Sequence, residues 1–142
     1  MLDHASIPVA DLNRSAAFYD AVLAGLGYER RKQREGAIGY GPPSRRAPVF
    51  WILSRDALGA LDAPDAPDTR GPADTARAGV GLHISFEAPD RASVDTFHSV
   101  ALSSGGVDAG PPGERPHYTQ PFYGAFVLDP DGFKIEAVCR KG

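Results

Sequence analysis

The chain has 142 residues and a formal charge of −3 from 18 acidic and 15 basic side chains, so no strong positive field directs it to nucleic acid or to an anionic membrane. Its 42% hydrophobic residues can supply the core of one domain, and no run reaches the ~18 apolar residues needed to cross a bilayer. The lone Cys139 cannot form an internal disulfide, and the start Met1-Leu2-Asp3-His4 lacks a secretory pattern, which together predict a cytoplasmic, reducing setting.

In chain order, Ala5, Ile7 and Val9 alternate with polar or small neighbours and predict a first strand. Asp11 or Asn13 then caps a helix whose apolar positions include Leu12, Ala16, Tyr19, Leu23 and Leu26, ending near Gly27. The run Arg30, Arg31, Lys32, Gln33, Arg34 reads as a solvated edge that resists sheet-to-sheet pairing. Strands are predicted at 38–41 and 48–54. Residues 59–80, rich in Pro and without apolar periodicity, read as a linker. Beyond it Leu82, Ile84 and Phe86 alternate as a strand, and Asp90 caps a helix carrying Val94, Phe97, Ala101 and Leu102. His98 on that helix reads as a solvated or capping residue. Residues 110–123 read as a loop entering the sheet. Strands at 123–129 and 133–140 flank the turn signal Asp129-Pro130-Asp131-Gly132.

The two halves are copies of one pattern. An offset of 79 aligns His4 with His83, Ser6 with Ser85, Asp11 with Asp90, Phe18 with Phe97, Leu23 with Leu102 and Gly27 with Gly106, without a gap. Six matches in 25 positions is about four times the expectation from ordinary residue frequencies. The chain is therefore expected to be α+β, with one module at 1–58 and a second at 81–142. Each runs strand, helix and about three strands. One such unit cannot shelter both faces of its sheet, whereas two together can form a curved mixed sheet around a concave groove, with helices outside.

Strand alternation sorts the side chains between the faces. With Leu82, Ile84 and Phe86 under the helix, His83, Ser85 and Glu87 turn to the groove. With Ala5, Ile7 and Val9 under the helix, His4 and Ser6 turn the same way. With Phe133, Ile135 and Ala137 under the helix, Glu136 joins them and Cys139 points away. Two imidazoles and a carboxylate are the ligand set of a facial triad, so His4, His83 and Glu136 are the expected ligands of a divalent metal, with Fe, Mn, Zn and Ni left open.

The segments His4-Ala5-Ser6-Ile7, Phe18-Tyr19, Leu26-Gly27-Tyr28, Leu82-His83-Ile84-Ser85-Phe86 and Asp129-Pro130-Asp131-Gly132-Phe133-Lys134-Ile135-Glu136 resemble those of the vicinal oxygen chelate superfamily. This is the glyoxalase, bleomycin-resistance and extradiol-dioxygenase group. The resemblance implies paired βαβββ modules, a divalent metal in the groove, often a homodimer, and a site built within one chain or across two. It departs from the glyoxalases at their fourth ligand, which falls by hairpin register near Trp51, where no carboxylate stands.

Trp51, Ser6, Ser85 and Tyr118 are then the expected pocket residues, with a core aromatic the other reading of Trp51. Arg115 offers a fork for an anionic group, and Tyr123 or His117 a proton donor or acceptor, which makes these three the candidate catalytic residues; the competing reading is that Tyr118 and Tyr123 pack the sheet edge and Arg115 lies in water. The function expected is a metal-dependent enzyme holding a small substrate through neighbouring oxygens. The alternative is a non-catalytic dimer that sequesters a ligand, as bleomycin-resistance proteins do. A small-molecule substrate and a second copy are the expected partners; nucleic acid and membrane are not.

Overall fold

A computed structural model describes residues 2–57, 82–118 and 121–142; the predicted linker at 59–80 lies outside the described residues. The first module runs β1 (Ala5–Val9), α1 (Leu12–Ala24), β2 (Glu29–Arg34), β3 (Ala37–Gly41) and β4 (Phe50–Ser54). The second runs β5 (His83–Glu87), α2 (Arg91–Ser103), β6 (Val107–Glu114), β7 (Tyr123–Leu128) and β8 (Lys134–Cys139). The two sheets have the same order, β1-β4-β3-β2 and β5-β8-β7-β6, with the first pair parallel and the others antiparallel. The expected βαβββ unit is thus present twice.

Local chemistry sets the helix starts. The Asp11 carboxylate accepts from the Arg14 N–H at 3.0 Å and Asp90 from the Ser93 N–H at 2.8 Å, each satisfying a donor that the first helical turn leaves without a partner. Asp11, rather than Asn13, is therefore the cap of α1. The basic run is the edge strand β2, a solvated edge as expected, with all six residues exposed and a register shift between Arg30 and Lys32. One strand differs from expectation. The front of the predicted 110–123 loop is β6, an edge strand with two register irregularities around its Gly and Pro residues, which an outermost strand accommodates.

The helix-bearing faces of the two sheets meet in one core that includes Ile7, Tyr19 and Phe50 from the first module and Phe86, Phe97 and Ile135 from the second. Phe86 packs edge-on to Phe50 and Tyr28, at ring separations of 5.2 and 5.7 Å. Truncating such a buried ring costs about 3–5 kcal/mol, so Phe86→Ala would loosen the two modules together. The β7–β8 turn adds a polar clasp. Asp131 accepts from the Ala10 N–H and the Ser15 hydroxyl at 3.0 and 3.1 Å and pairs with Arg14. With the helix-bearing faces joined, the helix-free faces lie on the other sides of the sheets, where Ser6 and Ser85 stand with buried apolar residues such as Leu53, Phe126 and Val138. Among the described residues no helix is long and apolar enough to cross a membrane.

Candidate functional site

Residues paired across neighbouring strands share a face, so the register maps the helix-free surfaces. In the second module Ser85, Glu136, Phe126 and Gly110 form one row across the sheet. In the first the corresponding row is Ser6, Trp51, Gly39 and Lys32. Trp51 therefore occupies the rung that Glu136 holds in the other copy, as the hairpin register predicts.

His83 and Glu136 come together. Nε2 of His83 lies 2.8 Å from Oε2 of Glu136; the imidazole is 42% exposed while the glutamate is only 3% exposed. The other carboxylate oxygen, Oε1, is buried and has no hydrogen-bond partner among the described residues. An acceptor left this way costs about 1–3 kcal/mol, so the position asks for a cation or a donor. Gly124 on β7 makes the space: a Cβ there would sit 3.2 Å from Oε1 and 2.9 Å from a ring carbon of Phe122. Phe126 stands beside His83 at 5.7 Å between rings.

His4 does not join them. It stands at the first module, largely exposed, with Nδ1 2.7 Å from the Asp3 carboxylate. Among the described residues no three His, Cys, Asp or Glu side chains converge. Of the two routings left open, positions 4, 83 and 136 do not meet within one chain, because the helix-bearing faces pack together and leave the two histidine-bearing surfaces apart. A cleft of about 400 Å³ instead gathers His4 with Ser6, Lys32, Arg34, Pro48 and Trp51. Arg34 stacks over Trp51 with its guanidinium carbon 5.1 Å from the ring centre.

The remaining expected residues divide. Ser85 lies exposed in the Glu136 row. Arg115 donates to the Pro111 carbonyl at 2.6 Å and sits 5.5 Å over Phe126, on the His83 face. Tyr118 stacks on Phe122 at 4.6 Å, while His117 is exposed in the turn after β6. Tyr123 packs toward the helix, in keeping with its competing reading: it donates its hydroxyl to Asp95 of α2 at 2.7 Å and carries Arg91 over its ring. That places it on the opposite face of the sheet from Glu136. The bond to Asp95 also holds its phenol above the usual range. His98 is not solvated; its ring is mostly buried and bonds Asp108 of β6 at 2.9 Å. Lys134, over Phe126 at 4.8 Å, and Arg34 join the two faces without having been singled out as site residues.

The sequence profile of the glyoxalase/bleomycin resistance protein/dioxygenase superfamily matches residues 1–137. The chain belongs to this superfamily. A glyoxalase/bleomycin resistance protein from Albidiferax ferrireducens T118 is 30% identical, with a TM-score of 0.72 and 98% of each chain covered. A family enzyme from Burkholderia phytofirmans PsJN shares the fold at 18% identity, TM-score 0.69, covering 99% of this chain and 98% of its own. A lactoylglutathione lyase from Agrobacterium tumefaciens shares it at 20% identity, TM-score 0.61, covering 98% of this chain and 92% of its own. No functionally curated protein matches.

Members of this superfamily typically bind divalent metals, and the His83 and Glu136 pair fits such an ion. Two adjacent ligands about 2.1 Å from an octahedral ion stand about 3 Å apart, close to the separation found here. The buried, unpartnered Oε1 is a hard anionic donor of the type such ions take.

Proposed function

We propose that the protein is a metal-dependent enzyme whose divalent ion is held by His83 and Glu136 of one copy and His4 of a second copy, in a homodimer. The single observation that carries this reading is the pairing of an accessible imidazole with a buried carboxylate that keeps one oxygen without a partner. A second copy is invoked because His4 occupies the matching position of the repeat on an outward face of its own. The first module of one chain laid against the second module of another brings the two histidine-bearing faces together, and a C2 arrangement does so twice.

When bound, the ion would act as a Lewis acid toward two neighbouring oxygens of a small substrate. The chain's own residues supply the rest. Glu136, fixed between β5 and β7 in a pocket walled by Phe122, keeps its carboxylate oriented and out of water. Phe126 restricts access beside His83. Trp51 contributes an apolar plane where a fourth carboxylate would stand, which separates this site from a four-ligand glyoxalase arrangement.

Subunit complementation tests the proposal. His4→Ala and His83→Ala proteins should each lose bound metal. After mixing in equal amounts and subunit exchange, half the dimers are heterodimers with one of their two sites intact, so metal content should return to about a quarter of wild type. No recovery on mixing, with exchange verified, overturns the shared site; metal retained at full stoichiometry by His83→Ala overturns the ligand set and leaves ligand sequestration as the function.

A further inference from the structure

The chain is acidic overall, yet both helix-free faces are built from an aromatic ring with cations above it. On the first module Arg34 lies over Trp51 and Lys32 shares its row. On the second, Lys134 and Arg115 lie over Phe126 at 4.8 and 5.5 Å. Each ring also rests on a glycine of the neighbouring strand. A Cβ on Gly39 would come within 2.9 Å of Trp51, and one on Gly110 within 2.9 Å of Phe126. The missing side chains let the rings lie along the sheet, leaving a flat apolar floor rather than a ridge.

From this we infer that the groove takes a planar organic anion, an arene carrying a carboxylate, with its ring on Trp51 and its carboxylate at Arg34 and Lys32. The Trp51 cleft, at about 400 Å³, has the size of a small-ligand site. The acidic side chain lining it, Asp3, is engaged by His4 at 2.7 Å. An indole floor selects a flat apolar body, and a guanidinium held above that floor meets a carboxylate through its fork of donors. A neutral arene satisfies only the floor. A saturated carboxylate satisfies only the cations.

The inference rests on the proposed function only for the statement that this anion is the substrate; binding to the Trp51 face does not require the metal. Trp51 is the chain's one tryptophan, so its fluorescence reports directly on the cleft. The full chain in EDTA is titrated with benzoate, benzyl alcohol and cyclohexanecarboxylate, with excitation at the red edge of the indole band. Benzoate should give a saturable change, with the other two at least about tenfold weaker, which is the loss of one well-made contact. Arg34→Met and Lys32→Met, both at exposed positions of an edge strand, should weaken benzoate about fivefold or more without altering benzyl alcohol. Their thermal unfolding reports whether the fold is kept.

Benzyl alcohol matching benzoate, or no saturable change with any probe, overturns the inference and leaves Arg34 as a cation that shields the sheet edge. Because chelator is present throughout, failure here leaves the metal site standing. Failure of subunit complementation likewise leaves a benzoate-binding cleft standing.

Discussion

The Tyr19 hydroxyl donates to Oδ2 of Asp129 at 2.6 Å, joining the helix of the first module to the β7–β8 turn of the second inside the shared core. Both residues are buried, and Oδ1 of the same carboxylate accepts from the N–H groups of Asp131 and Phe133 at 2.9 and 2.8 Å. One side chain therefore shapes a hairpin and fastens it to the other half. Burial, followed by the acceptor carboxylate, holds the Tyr19 phenol well above its usual range.

Tyr19→Phe should lower stability by about 1.5–3 kcal/mol, the range for a hydrogen bond to a charged group whose partner is left buried. Denaturant unfolding measures it. A loss below about 0.5 kcal/mol, the scale of an ordinary surface substitution, would show that the bond is not a clasp.

Asp129 also gives a pH signature. Burial, the largest influence, pushes its carboxyl above the ordinary 3.8, against the lowering effect of the Tyr19 hydroxyl and the two N–H donors. A carboxyl with a raised folded pKa favours the fold in its protonated form. That contribution is present in full below about pH 4 and is lost as pH rises through the raised value. Relative to Asp129→Asn, which does not titrate, the wild type should lose stability between acid and neutral pH. Urea midpoints of the two proteins across that range check this; a difference growing in favour of the wild type as pH rises would reverse the sign.

Gly124→Ala should disturb the candidate metal centre from behind. The added methyl would stand 2.9 Å from Phe122 and 3.2 Å from Glu136 Oε1, so one of them must move. Overpacking of this kind costs about 1–3 kcal/mol. The expected result is a lower melting temperature together with weaker metal binding by titration. Unchanged values of both would mean that the space around Oε1 is looser than the contacts indicate.

Glu136→Gln should weaken divalent metal binding by about a hundredfold or more, because an amide keeps the shape and removes the charge that a hard cation needs. Calorimetric titration with Mn or Zn measures it, and near-ultraviolet circular dichroism reports whether the surrounding aromatic residues keep their packing.

Much of this architecture is written locally. Asp11 and Asp90 mark helix starts because a short acceptor before an apolar-periodic run has one geometric use. The alternation in Leu82, Ile84 and Phe86 assigns His83 to its face for the same reason. β2 and β6 are not legible in this way. Glu29–Arg34 has no apolar side and Val107–Glu114 is rich in Gly and Pro, and both are strands because a neighbouring strand pairs with them. The position of His4 depends on how two finished modules pack, which no local pattern encodes. The face of Tyr123 follows from the hairpin: it is in register with Cys139, and the alternation that sends Cys139 to the helix side sends Tyr123 there too. Simple alternation would put Arg30, Lys32 and Arg34 on one face; the register shift between Arg30 and Lys32 turns Arg30 to Asp20 on the helix side and leaves Lys32 and Arg34 together, which no spacing in the run reveals.

A duplicated scaffold with identical halves would present a symmetric cradle, unable to tell one end of its guest from the other. Substituting indole for carboxylate at a single rung breaks that equivalence, leaving Trp51 on one half and Glu136 on the other. In the proposed dimer, a molecule lying between the two surfaces would meet indole on one side and a carboxylate on the other, so its two faces would not be interchangeable.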